Sequence, residues 1–193
     1  MAAIMTNLKL LILSLTFLAT ANAQTSNSLS QADIDFINGA VKDKRYAIKL
    51  VSEMIEYNLT EIKNYLERPF FIKRMVDEND KDISDTIKLT KYDKAQMLKK
   101  LDSLKDFKWT QAVASKLNLD NISLISYDTS RSHNMAYAIK YHIVPPIYFD
   151  KGNYCILSFS YSCGGLCGHG QITVYKRTEA GWKRWNNLSW YDE

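Results

Sequence analysis

Ile147-Tyr148-Phe149-Asp150-Lys151-Gly152-Asn153-Tyr154-Cys155-Ile156-Leu157-Ser158-Phe159-Ser160-Tyr161 is the stretch on which the fold turns. Two runs rich in β-branched and aromatic residues flank Asp150-Lys151-Gly152-Asn153. Those four are turn formers, because Gly supplies positive φ while Asp and Asn bond to nearby backbone. The stretch therefore predicts a hairpin from Ile147–Phe149 to Tyr154–Tyr161. Further on, Gln171–Lys176 and Trp182–Trp185 flank Thr178-Glu179-Ala180-Gly181, a second turn signal. The C-terminal part thus reads as an antiparallel β-meander.

Upstream, Ile122–Tyr127 and Met135–Val144 are also strand-like, and Pro145-Pro146 interrupts the latter as a strand edge or bend would. Earlier still the pattern is helical. Ser30-Gln31-Ala32-Asp33 resembles a capping box with Asp in place of Glu. Apolar residues follow at Ile34, Ile37, Val41, Ile48, Val51, Ile55, Leu59, Ile62 and Leu66, a buried helical stripe. It is one long helix or, if Gly39 breaks it, two, and Pro69 ends it. Asp77–Asp85 reads as an exposed acidic connection. Thr90-Lys91-Tyr92-Asp93 caps a further helix with Ala95, Leu98, Leu101 and Leu104 on its apolar face, and Trp109–Leu117 predicts a shorter one. Helices first and strands later predict an α+β domain, with N-terminal helices (about 30–117) packed on a C-terminal antiparallel β-meander (about 121–191).

The chain has 193 residues, 46% hydrophobic and 24% charged, which fits one globular domain and excludes a collagenous chain, a disordered polyelectrolyte and a polytopic membrane protein. Residues 1–23 read as an export signal: Lys9 as the positive region, Leu10–Ala19 as the apolar core, and Ala21-Asn22-Ala23 as the cleavage site. That apolar run is far short of the roughly 20 residues a membrane-spanning helix needs. A single domain over residues 24–193 is expected, periplasmic or extracellular, with no transmembrane segment after cleavage. Without Lys9 it carries 24 basic and 21 acidic side chains, a net charge of +3 spread too evenly for nucleic acid.

Cys163-Gly164-Gly165-Leu166-Cys167-Gly168-His169-Gly170 is the unusual segment, holding four of the seven glycines. A hairpin end pinned by a Cys163–Cys167 disulfide is the plain reading, and an exported location permits it. Cys155 lies eight residues from Cys163, roughly 26 Å along a strand at about 3.3 Å per residue. A disulfide needs Cα atoms within about 7 Å, so Cys155 is the free thiol. A metal site from Cys163, Cys167 and His169 is the sharper alternative, although zinc would need a fourth ligand. A nest of backbone N–H groups for an anion is a third. Gly164, Gly165, Gly168, His169 and Gly170 are in any case the candidate functional loop.

Elsewhere chemistry is sparse. His142 sits in a strand and His133 in a polar loop, and there is no Gly-x-Ser-x-Gly elbow, His-Glu-x-x-His or phosphate-binding loop. Glu53 and Glu56 stand at helical i, i+3 spacing, where paired carboxylates can do acid–base work but are more often solvated. A calcium loop read from Asp80 fails, with Asp85 in place of glycine and Lys91 in place of the terminal glutamate. Asn58, Asn121 and Asn187 head glycosylation triplets. Trp182, Trp185, Trp190, Tyr175 and Tyr191 crowd the C-terminus as core and cross-strand pairs, or as an exposed strip for glycan or peptide.

From about Leu89 to Glu193 the chain resembles an uncharacterised group of small exported proteins of Gram-negative bacterial envelopes. The resemblance rests on Leu89-Thr90-Lys91, Trp109, Pro146-Ile147-Tyr148-Phe149, the Asp-Lys-Gly-Asn-Tyr turn, Tyr161–Gly170 with its Cys-Gly-x-Leu-Cys-Gly-x-Gly segment, Lys176, Gly181-Trp182-Lys183 and Trp190. It implies export and these boundaries, and no activity. The functional expectation is a non-enzymatic exported module that binds a protein, peptide or glycan of the cell envelope and needs no cofactor. The alternatives are a hydrolase-like envelope enzyme whose site the sequence does not locate, and the metal-binding module above. An enzyme predicts a deep pocket with convergent polar groups, and an interaction module predicts exposed apolar or aromatic surface.

Overall fold

The computed structural model describes residues 29–41, 49–76, 82–119, 122–131, 138–163 and 168–192. In chain order the elements are α1 (Gln31–Ala40), β1 (Lys49–Val51), α2 (Glu56–Leu66), β2 (Phe70–Val76), β3 (Asp82–Lys88), α3 (Lys91–Ser103), α4 (Gln111–Ala114), β4 (Ser123–Ile125), α5 (Tyr127–Ser130), β5 (Lys140–Phe149), β6 (Tyr154–Ser162), β7 (Gly168–Thr178) and β8 (Gly181–Asp192). The main sheet has strand order β4-β1-β5-β6-β7-β8, and β2-β3 form a separate ribbon. The four C-terminal strands are an antiparallel meander, as expected. With helices concentrated before it, the protein is α+β.

Both turn signals act as their residues require. Asp150, Lys151 and Gly152 take φ of 47°, 54° and 85°, and Asn153 donates from its backbone to Asp150 O at 3.0 Å. Gly181 takes φ of 104°, and the Thr178 hydroxyl donates to its carbonyl at 2.7 Å. Both capping boxes form. The Asp33 N–H donates to Ser30 Oγ at 3.2 Å and the Asp93 N–H to Thr90 Oγ1 at 3.0 Å. Asp93 has a second role, accepting the Asp150 N–H at 3.0 Å and so fastening the start of α3 to the β5–β6 turn.

Strand alternation sets the layers. Tyr148, Cys155 and Tyr175 are register partners and share one sheet face, against which Phe36 of α1 packs with ring centroids 6.3 Å from Tyr148 and 5.2 Å from Tyr175. Phe149 and Tyr154 share the opposite face, and Phe71 of the ribbon meets Phe149 at 6.0 Å. The ribbon is also tied to β8, the Trp185 indole donating to Asp85 at 2.6 Å and the Asn186 amide to Ile72 O at 2.9 Å. Trp109 is buried and donates through Nε1 to Ile143 O at 3.0 Å.

Three expectations need correction. The apolar stripe from Ile34 to Leu66 is two helices with a strand between them, and Leu50 and Val51 belong to β1. Consecutive burial of those two marks a strand covered on both faces and flanked by parallel neighbours, which helical spacing imitates over so short a run. The acidic connection is half hairpin, because β3 begins at Asp82 and pairs with β2 through seven positions. The helix expected at Trp109–Leu117 is only Gln111–Ala114. Trp109 is extended instead, its N–H bonded to Ser52 O at 2.8 Å. Pro145-Pro146 do interrupt their run, as a bend and not as a strand end. They occupy a register shift between Val144 and Ile147 inside β5, where a missing N–H is tolerated.

Candidate functional site

Gly168, His169 and Gly170 belong to β7 rather than to a loop tip, and the last registered pair of the β6–β7 hairpin is Ser162 with Gly168. His169 stacks across the strands on Tyr161, centroids 5.9 Å apart and planes at 29°. Cys163 directly follows β6. Gly164, Gly165 and Cys167 lie outside the described residues, and with them the Cys163–Cys167 pairing and the complete metal set. Among the described residues no three His, Cys, Asp or Glu are grouped to hold a metal ion. Cys155 is a free thiol with 0% exposure near the other end of β6, and burial pushes its pKa well up.

His142 lies on β5 opposite Ser160, and its buried Nδ1 has no hydrogen-bond partner among the described residues. Burial, with Lys140 nearby, lowers its pKa from 6.5 to about 4, so the ring is neutral at pH 7. His133 and Asn121 lie outside the described residues. Asn58 is buried within α2, and Asn187 accepts from the Thr173 hydroxyl at 2.8 Å, so neither is presented as a loop acceptor for a glycan.

The two glutamates singled out in the sequence do meet, though not on one helix. Glu53 sits in a β-bridge with Lys108, and Glu56 opens α2. Both line an open cavity of about 510 Å³ with Met54, Ile55, Tyr57, Ser126, Tyr127 and Asp128. Parallel pairing of β1 with β4 builds it, since the Ser52 N–H donates to Ile125 O at 2.8 Å and so brings the start of α5 beside Glu53. Glu53 Oε2 accepts the Ser52 hydroxyl at 2.6 Å and the Tyr127 N–H at 2.8 Å, and Lys108 Nζ stands 3.6 Å from Oε1. Partial burial works to raise the Glu53 pKa, but those hydrogen bonds and the lysine charge outweigh it and hold it below the usual carboxylate value.

Tyr57 is 65% exposed and Tyr127 37% exposed at the rim. A second cavity of about 390 Å³ shares Met54 and Glu56 and runs between α2 and α3 over Leu59 and Leu101, with Lys63, Asp102 and Lys105 among its charged lining. The two adjoin at Met54 and Glu56, beside the N-terminal turn of α2. Chemically, a carboxylate with a lowered pKa is a weak proton acceptor near neutrality. The arrangement suits holding a hydrogen-bond donor against tyrosine rings better than moving protons. Tyr57, Tyr127 and Asp128 went unnoticed in the sequence. Their only signal there is aromatic residues set among polar ones. No family model, curated protein or solved structure matches this chain.

Proposed function

We propose that this chain is an exported, non-enzymatic binding module of the cell envelope, its partner a protein, peptide or glycan. The observation that carries this is the open cleft at the start of α2, where Glu53, Glu56 and Asp128 stand beside the exposed rings of Tyr57 and Tyr127. Further apolar surface is available at Phe70 and Ile72 on the outer side of the ribbon, 42% and 40% exposed. The low proton affinity of Glu53 favours binding over acid–base catalysis.

A Cys163–Cys167 disulfide and removal of residues 1–23 belong to the same proposal. The β6–β7 register supports the bond. Its last registered pair, Ser162 with Gly168, holds the sequence neighbours of the two cysteines directly across the strands. Directly opposed strand positions are about 4.5–5.5 Å apart, within the span of a disulfide. The test is photocrosslinking in cells, with a photoreactive phenylalanine at position 57 and, separately, at position 92 on α3. A discrete adduct from position 57, absent from position 92 and lost on Tyr127→Ala, supports the reading. Turnover of ester, peptide or glycosidic substrates by the purified chain, abolished by Glu53→Gln, would replace it with the hydrolase alternative.

A further inference from the structure

We infer that the recess between α1 and the β7–β8 hairpin is a subsite for a single sugar ring. This rests on the binding-module reading and names a ligand class for a surface separate from the Glu53 cleft. The recess is lined by Asp35, Phe36, Gly39, Ala40, Tyr175 and Trp182 and has a volume of about 180 Å³. Sites for drug-sized ligands run to roughly 300–1,000 Å³, so this one has room for one ring and not for an extended peptide.

Its aromatic wall is held rigidly from behind. Phe36 and Tyr175 are buried, and Trp182 is only half-buried. Phe36 packs 5.2 Å from Tyr175 at 88° and 5.1 Å from Trp182 at 60°, and Tyr148 supports Trp182 at 5.8 Å. An indole fixed this way needs no reordering to stack on a ligand. Asp35 supplies a hydroxyl acceptor at the rim, oriented by the Gln31 amide at 2.9 Å from Oδ1.

Gly39 is the informative residue. It lies within α1, where glycine is a poor helix former. Its φ is not left-handed, and a Cβ there would meet nothing within 4 Å. Among the described residues neither turn geometry nor packing calls for glycine, whereas close approach of a ligand to the helix backbone does. The charges decide between a cation and a neutral polyol. Aromatic rings beside a carboxylate would also suit an ammonium group. Register, however, sets Arg177 opposite Trp182 and Arg184 opposite Tyr175. Two guanidinium groups flanking the wall oppose a cation and offer further donors to hydroxyl oxygens. A neutral ring with an apolar C–H face and a hydroxyl edge meets every group present.

The test is a heteronuclear NMR titration of the full mature chain with glucose, galactose, mannose and N-acetylglucosamine, with tetramethylammonium chloride as a separate probe. A single ring should bind with a dissociation constant in roughly the millimolar range. Expected are saturable shifts at the Trp182 indole and the Gly39 amide with at least one sugar. Gly39→Leu adds a bulky side chain at a lining position where a Cβ meets nothing within 4 Å, and should weaken binding at least about tenfold. Gly39→Ala serves as the folding control. Sugar shifts that survive Gly39→Leu, or none at the recess, would overturn the subsite. Saturation by tetramethylammonium alone would overturn the sugar assignment. Sugar shifts confined to the Tyr57–Tyr127 cleft would overturn the subsite and leave the binding module standing, and the crosslinking at position 57 judges that module independently.

Discussion

Acidification should unfold this protein partly through one histidine. His142 occupies the middle of the sheet, its buried Nδ1 unpartnered among the described residues, and its folded-state pKa is about 4 against 6.5 for an unperturbed ring. A depressed histidine pKa means that the unfolded chain binds the proton more readily. Stability from this group is therefore fully present above pH 6.5 and is lost as pH falls toward 4. At 1.36 kcal/mol per pKa unit, the loss reaches about 3 kcal/mol near pH 4, a large part of the stability of a domain this size. The assay is urea unfolding of wild type and His142→Leu at intervals from pH 7.5 to pH 4. Acid-sensitive carboxylates such as Glu53 and Asp93 contribute to both proteins and cancel in the difference. At pH 7.5 the substitution should change stability by no more than about 1 kcal/mol, since it removes an unsatisfied nitrogen together with some packing. Toward pH 4 the wild type should lose about 3 kcal/mol relative to the variant. A difference constant to within about 0.5 kcal/mol across that range, comparable to the error of additivity, would refute the reasoning. So would a His142 resonance titrating near 6.5 in the native protein.

Asp93→Ala removes both the cap of α3 and the tether to the β5–β6 turn, and should cost about 1–2 kcal/mol in urea unfolding. A loss no larger than that of Asp102→Ala, on the exposed side of the same helix, would show that the tether contributes nothing. Thiol counting on unreduced, unfolded mature protein should find one free thiol, at Cys155, whereas three free thiols would dismiss the Cys163–Cys167 bond. Mass spectrometry of protein recovered from the envelope should find Gln24 as the first residue, and an intact Met1 would end the export proposal.

The parts of the fold legible in the sequence are those specified by local chemistry. Asp150-Lys151-Gly152-Asn153 marks a turn because Gly152 takes a positive φ without strain and Asn153 bonds back to Asp150. Ser30 and Thr90 mark helix starts because each has an aspartate three residues on to complete the box. What stayed hidden was specified by distant partners. β1 is three residues long, and only its parallel neighbours β4 and β5 make Leu50 and Val51 a strand rather than a helical turn. The ribbon was obscured by its acids. Asp85 looks like an exposed loop residue until the Trp185 indole, 100 positions away, bonds to it. Phe71 and Ile87 are buried between exposed neighbours, a period-two pattern too short to stand out.

The same contrast separates the cysteine–glycine segment from the cleft. The cysteine–glycine segment is conspicuous because its composition is odd. Gly168 and Gly170 are buried on β7 opposite Ser162 and Ser160, where two strands run closely paired. The cleft is inconspicuous because each of its residues is ordinary. Glu53 and Tyr127 are 74 positions apart, and they meet because two three-residue strands run parallel and deliver both to one sheet edge. Nothing local to either residue encodes that meeting. A binding surface assembled in this way can change its lining residues without disturbing a cap, a turn or the core. The elements that fix the fold and the side chains that line the cleft are therefore separable here, and substitutions at Tyr57 or Asp128 test the proposed function with little risk to folding.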